Sequence, residues 1–297
     1  MLSILIPTYN YNVTELLNTL KAELGSIAPN YEVICYEDGS SKYLEENKTI
    51  IQSITNAKHI ISADNKGRIT TRQSLAENAK YNWLLFLDSD VIPEKVNFLK
   101  DYLKFLNHNY DVIYGGFTYD SKKPNKQFTL RWKYGKKYEH VNADVRNKTP
   151  YKIVISGNFL VKKRTFLDIN SRIENDGYGY DNYMGALMKA NNIKVFHINN
   201  NVIHKGLDTN SIFLTKVNQA VETIFEINQK HSNIITDNSL LELYKKIKSF
   251  GLKGLILFIF KISKTSIKRQ LLSGNPNLTF LQFYKLGYLC SITSGKT

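Results

Sequence analysis

A chain of 297 residues with 42% hydrophobic content is long enough for one large domain, or an ordinary domain with an appendage, and too rich in apolar residues to be a disordered polymer. Its formal net charge of +14 is unevenly placed: from Ser239 onward ten Lys or Arg face the single acid Glu242, so that stretch calls for an anionic partner. Two cysteines, Cys35 and Cys290, exclude a disulfide framework and a cysteine metal cluster, and Met1 runs straight into Leu2–Pro7 without a basic region or cleavage site, which predicts no signal peptide and a cytoplasmic protein.

In chain order, Leu2 to Ile6 reads as a short buried strand stopped by Pro7, and Thr8-Tyr9-Asn10-Tyr11-Asn12 as a turn before a helix that starts near Val13. Tyr31 to Tyr36 is a second strand and ends in Glu37-Asp38-Gly39-Ser40-Ser41. A third, around His59-Ile60-Ile61, leads through Asp64-Asn65-Lys66-Gly67-Arg68 into a helix to Lys80. Trp83-Leu84-Leu85-Phe86-Leu87 has no polar alternation, as expected of a strand buried on both faces, and ends in Asp88-Ser89-Asp90. This β-α-β-α-β-α-β order predicts a parallel, doubly wound sheet with all four strand ends on one crevice.

Pro93-Glu94 reads as the start of a helix to about Asn107, and Val112 to Phe117 as another strand. From Thr118 to Lys152 the pattern breaks down into a polar excursion that holds Arg131, Trp132, Lys133, Lys136, Lys137 and Arg146. Strand character returns at Ile153-Val154-Ile155 and continues to Val161. Asp176-Gly177-Tyr178-Gly179-Tyr180-Asp181 then opens a helix through Ala190, short strands follow at 195–198 and 202–204, and Ile212 to Gln229 is an amphipathic helix.

Two carboxylates one residue apart at a strand end attract a hard cation such as Mg²⁺ or Mn²⁺, which shares its remaining positions with water and substrate phosphates. Asp88-Ser89-Asp90 is also good turn chemistry, because Asx side chains bond nearby backbone amides. On the tripeptide alone both readings stand.

Taken together and in order, these stretches resemble family 2 glycosyltransferases of the GT-A fold over roughly residues 1–230. Leu5-Ile6-Pro7-Thr8-Tyr9-Asn10 resembles the family's opening strand and nucleotide-contacting turn, Glu37-Asp38-Gly39-Ser40 its base-recognising acidic motif, and Asp88-Ser89-Asp90 its Asp-x-Asp metal motif. Asn65-Lys66-Gly67-Arg68-Ile69-Thr70-Thr71-Arg72-Gln73 is similar to its Asn-x-Gly-x-x-x-Ala-Arg-Asn segment, with departures at Thr71 and Gln73. Gly179-Tyr180-Asp181-Asn182 resembles the acceptor-side Gly-x-Glu-Asp-Asn motif, one residue shorter and without the Glu.

The resemblance implies an α/β fold with a mostly parallel, Rossmann-like GT-A sheet flanked by helices and a helical C-terminal appendage. The division is a glycosyltransferase domain over 1–230 (nucleotide-binding half 1–117, acceptor half 118–230) and a basic amphipathic tail over 231–297. It implies inverting transfer of a sugar from a nucleotide-sugar to a hydroxyl of a glycan or lipid-linked acceptor, with Mn²⁺ or Mg²⁺ held by Asp88, Asp90 and His204. Pro7, Thr8, Tyr9, Asp38, Asn65, Gly67, Arg72, Asp88 and Ser89 would hold the donor. Tyr9 stacking on the base and Asp38 accepting the uracil imide N–H would favour UDP. Asp181 would be the base that takes the proton from the attacking hydroxyl. Its alternative role is as N-cap of the following helix, with Asp176 then the nearest other base.

Residues 249–262 are strongly apolar, but their longest uninterrupted run is far short of the roughly 20 residues of a spanning helix. With Lys245, Lys246, Lys248, Lys264, Lys268 and Arg269 around them they predict an interfacial helix over 245–269 on an anionic leaflet, on the cytoplasmic face of a membrane; the alternative is a helix packed on the catalytic domain. A nucleotidyltransferase would carry a Gly-rich phosphate loop after the first strand, and Pro7-Thr8-Tyr9-Asn10-Tyr11 has no glycine. A nucleic-acid-binding role has no recognition motif behind it. A non-catalytic carbohydrate-binding relative accounts for the absent Glu.

Overall fold

The structure is a computed structural model that describes residues 1–26, 30–174, 177–231 and 238–294. Asp176 lies outside the described residues. Strands β1 (Leu2–Thr8), β2 (Tyr31–Asp38), β3 (Ala57–Ser62) and β4 (Trp83–Leu87) alternate with helices α1 (Thr14–Leu24), α2 (Leu44–Gln52) and α3 (Arg68–Asn78). All pairings among these strands are parallel, with Leu2 opposite both Tyr31 and Trp83. Every residue of β2 is buried and only Trp83 of β4 is partly exposed, as near-continuous apolar strands require when helices cover both sheet faces.

Beyond β4 the chain departs from the expected helix. Val91–Pro93 is a short strand, β5, and helix α4 (Phe98–Leu103) starts later, where Glu23 of α1 accepts the Phe98 and Leu99 amides at 2.8 and 2.9 Å. Pro93 sits in β5 rather than opening a helix because Val202 lies across from it and Glu94 N–H donates to the Asn201 carbonyl. Strands β6 (Val112–Tyr114) and β7 (Phe117–Thr118) follow.

The polar stretch 118–152 is also not patternless: it folds as α5 (Thr129–Tyr138) and α6 (Ala143–Asn147). Arg146, read from the sequence as part of a loop, is fully buried. Its guanidinium donates to the carbonyls of Val141, Gly115 and Ile198 and to His197 Nδ1 at 2.7 Å, gathering three segments around one cation. Residues 153–155 are not a strand; β8 begins at Asn158 and runs to Lys162. It enters antiparallel between β4 and β6, so the sheet is mostly rather than wholly parallel, in the order β3-β2-β1-β4-β8-β6 with β9 (Val195–His197) at the edge. Helices α7 (Lys163–Asn170) and α8 (Tyr180–Ala190) pack behind this half.

A second, three-stranded sheet sets β10 (Val202–His204) between β5 and β7. Among the described residues four helices follow: α9 (Asn210–Lys230), α10 (Ser239–Ser249), α11 (Lys253–Leu271) and α12 (Leu278–Ile292). Phe260, Ile267 and Leu271 of α11 share a core with Leu130 of α5, Phe213 of α9 and Leu281 of α12, so the C-terminal helices are packed onto the body of the protein. This is the α/β architecture with a helical C-terminal region that the resemblance implies. Among the described residues no helix is long and apolar enough to cross a membrane.

Candidate active site

The two carboxylates of Asp88-Ser89-Asp90 stand where β4 of the large sheet hands over to β5 of the small one, with Ser89 partly exposed between them. Antiparallel pairing puts His204 opposite Val91, which brings its imidazole beside Asp90: Nε2 lies 3.8 Å from Asp90 Oδ2. Lys205 N–H donates to the Asp90 carbonyl at 2.8 Å, and a Cβ on Gly206 would fall 1.9 Å from Asp90 Oδ2, so the chain after His204 is moulded onto this carboxylate. Burial pushes the Asp90 carboxyl upward, the neighbouring His204 opposing and Asp88 adding to it.

Two arginines hold Asp88. Arg68 and Arg72, four apart on one face of α3, both reach it: Arg72 Nη2 donates to Oδ1, and Arg68 Nη2 lies 3.6 Å from Oδ2. The same two guanidinium groups donate to the Ser156 hydroxyl at 2.7 Å and its carbonyl at 3.2 Å. Asp181 lines a pocket with Arg68, Arg72 and Ser156. Burial works against the Arg68 charge, but Asp181 and then Asp88 outweigh it and raise its basicity. The cap of α8 is Gly179, which makes no side-chain cap bond, and Asp181 lies in the first helical turn, so its carboxylate is not the cap that the sequence allowed.

On the nucleotide half, parallel register sets Pro7 opposite Tyr36 and Thr8 opposite Glu37, so the β1 and β2 turns lie side by side. Asn10 ties them together: its amide donates to Ser40 Oγ and its side-chain oxygen accepts from Ser41 and Lys42. Tyr9 beside it is 55% exposed, an aromatic face free to stack, whereas Thr8 is buried. Asp38 is buried and already accepts the Lys66 and Gly67 amides at 2.8 and 3.0 Å. It braces the loop before α3, and each carboxylate oxygen keeps a second lone pair for a ligand donor. Asn65 Oδ1 accepts the Gly67 amide in turn. Gly39, at φ 71°, permits this approach, since a Cβ there would meet Asn65 N at 2.4 Å.

The donors at Asp90 suit a divalent ion of the Mn²⁺ type: a half-buried carboxylate and an imidazole nitrogen lie 3.8 Å apart. Asp88 is turned to its two arginines, and among the described residues no cluster of three His, Cys, Asp or Glu side chains forms a complete cage. Cations that share their coordination with substrate phosphates and water need fewer protein ligands. Behind His204, Tyr119 stacks on the imidazole with ring centroids 5.7 Å apart, and its hydroxyl donates to Glu139, which also pairs with Arg131 at 3.0 Å.

The sequence model of Glycosyl transferase family 2 matches residues 3–169, more than half of the chain and the whole span from β1 through the Asp-x-Asp stretch to α7. The chain belongs to Glycosyl transferase family 2. It is 34% identical over 133 residues to an uncharacterized glycosyltransferase of Haemophilus influenzae, covering 40% of this chain and 42% of that one. Against the chondroitin synthase of Escherichia coli it is 33% identical over 107 residues, 35% of this chain and 15% of that one. The matched segments thus span less than half the length of these relatives. A crystal structure of S. aureus TarS aligns over 80% of this chain and 40% of its own with 18% identity and a TM-score of 0.48.

Within this family 2 chain, sequence reasoning missed Arg68, Ser156 and Gly206 as parts of the site. Arg68 carries a signal, its spacing of four from Arg72 on a helix; Ser156 and Gly206 carry none, because both arrive from segments distant in sequence.

Proposed function

We propose that the protein is an inverting, divalent-metal-dependent glycosyltransferase that moves a sugar from a UDP-sugar to a hydroxyl of a glycan or lipid-linked acceptor. The observation that carries this reading is the approach of Asp90 and His204, at the edge of the small sheet, to Asp88 at the end of β4, which Arg68 and Arg72 of α3 hold beside the pocket that Asp181 of α8 lines. Asp90 and His204 would hold Mn²⁺ or Mg²⁺. That ion, when bound, neutralises negative charge on the diphosphate leaving group.

The residues of the chain do the rest. Tyr9 stacks on the base and Asp38 accepts its imide N–H, which favours uracil. Arg72 and Arg68 hold the Asp88 carboxylate in one orientation at the end of β4. Asp181 accepts the proton of the acceptor hydroxyl as that oxygen bonds to the anomeric carbon; the carbon–oxygen bond to the diphosphate breaks, and its electron pair leaves with UDP. Attack from the side opposite the leaving group inverts the anomeric centre.

The C-terminal helices supply a membrane-facing surface in this reading. Leu255, Phe258, Ile259 and Ile262 recur at helical spacing on α11 and are 55%, 62%, 37% and 69% exposed, while Phe260, Ile267 and Leu271 on the other side enter the core. Packing and exposure therefore occupy opposite faces of one helix. Arg269, seven residues from Ile262, is exposed at the edge of that stripe, and Lys261, Lys264 and Lys268 are exposed elsewhere on the helix, so the apolar face lies in a positive field that suits an anionic leaflet.

Calorimetry of UDP binding with Mn²⁺, repeated in EDTA, tests the donor and metal together. Tighter binding with the metal is expected, and equal affinity in both conditions removes the metal from the mechanism.

A further inference from the structure

We propose that a basic groove leading from His204 across the outer face of α5 to the start of α12 is the binding track of an anionic glycan, whose sugar or polyol units carry carboxylate or phosphate groups. This rests on the glycosyltransferase reading and names the class of its acceptor.

Two cavities of about 540 and 620 Å³ adjoin at Trp132, which lines both. The first is lined by His204, the proposed metal ligand, together with Lys122, Lys123 and Lys205. The second is walled by Lys133, Lys136 and Lys137 of α5 on one side and by the turn into α12 on the other. Lys133 fastens these walls together, donating to Asn275 and to the Pro276 carbonyl at 3.1 Å. Among the described residues Asp120 is the sole acid lining either cavity, and Lys205 pairs with it at 3.2 Å. Lys122, Lys123, Lys136 and Lys137 have no carboxylate within ion-pair distance among the described residues.

Unpaired ammonium groups of one sign along a cleft raise its potential and concentrate anions there. The groove also holds an aromatic wall of fixed orientation: the Trp132 indole N–H donates to the Asp120 carbonyl at 2.9 Å, and Lys136 Nζ sits 4.7 Å over the ring. An indole next to lysines matches a sugar ring, whose C–H face packs on the aromatic surface while its acidic substituent meets the ammonium groups. One tryptophan serves a ring at a fixed distance from the reaction centre, whereas single-stranded nucleic acid calls for successive stacking platforms.

The full chain is titrated with an oligogalacturonate, a phosphodiester-linked glycerol oligomer, a neutral malto-oligosaccharide and a single-stranded DNA of matched charge. One of the two anionic glycans should bind about tenfold or more tighter than the neutral one, with affinity that falls as salt rises; which of them does so distinguishes carboxylate from phosphate. The double variant K122E/K123E and the separate variant Trp132→Ala should each weaken that binding by about tenfold or more at unchanged melting temperature, and either one suffices if the other fails to fold. Equal binding of the neutral sugar, tighter binding of the DNA, or wild-type affinity in both variants overturns the track. UDP binding by the wild-type protein is measured alongside: a protein that binds UDP but shows no glycan preference loses the track and keeps its donor site.

Discussion

The crevice at the end of β4 and the helical surface of α11 both concentrate charge, but in opposite ways. In the crevice the charges are few, enclosed and individually held: Asp88 by Arg72 and Arg68, Asp90 against His204, Asp38 by two backbone amides. On α11 they are exposed and work only as a sum. A charge in a poorly solvated site interacts strongly with specific neighbours, while one in water acts through a screened potential. Single substitutions should therefore be decisive in the crevice and nearly silent on the helix.

The sharpest test of that contrast is Asp181→Asn. As the base, it should lower the transfer rate by about 10² to 10⁴ with donor affinity little changed. Stability should fall only slightly, since an acid is lost from the first turn of α8. Turnover, UDP-sugar affinity and melting temperature measured on this variant decide it, and near-normal turnover removes Asp181 from the mechanism.

Gly206→Ala probes the crevice without touching a charge. The added Cβ would overlap Asp90 Oδ2 and must displace that carboxylate, so metal-dependent UDP affinity should drop by about tenfold to a hundredfold. An unchanged metal dependence would show that Asp90 need not stand where it does.

A buried group outside the crevice sets the next effect. His197, held between Arg146 at Nδ1 and the Pro150 carbonyl at Nε2, has its pKa lowered by burial to about 4. Because the folded state resists protonation, stability should be full above pH 6.5, fall as the pH drops from 6.5 toward 4, and level off below. The loss amounts to roughly 3 kcal/mol. Urea titrations across that range check it, and His197→Gln should flatten the slope.

The smallest effects belong to α11. Loss of one basic residue at the edge of the stripe, as in Arg269→Gln, should weaken binding to vesicles of anionic lipid by only about fivefold, and raised salt should erase the difference. Phe258→Ser should weaken binding in a salt-independent way, since it removes apolar contact. Co-sedimentation that ignored both lipid charge and salt would leave the stripe without a membrane role.

Much of the nucleotide-binding half is legible in the residues themselves. Apolar runs mark β1, β2 and β4, and acidic or Asx-rich turns mark their ends, because burial on both faces leaves no alternation and the turn that follows must satisfy free backbone groups. The stretch 118–152 was not legible. Its Arg and Lys residues read as part of a polar excursion, yet Arg131 and Arg146 are buried, and what decides this is a set of carbonyls and a carboxylate that only the folded chain brings around them.

By itself the sequence determined that four strands would deliver their ends, and with them Asp38, Asp88 and Asp90, to one side of a sheet, because side-chain periodicity and turn chemistry act over a few residues. Only the tertiary structure decided that β8 would enter antiparallel beside β4, bringing Ser156 to Arg68 and Arg72, and that β10 would pair with β5 to set His204 against Asp90. Those pairings join segments far apart in the chain. They depend on which hydrogen-bonding edges remain open once the local elements have formed, and no local pattern encodes that.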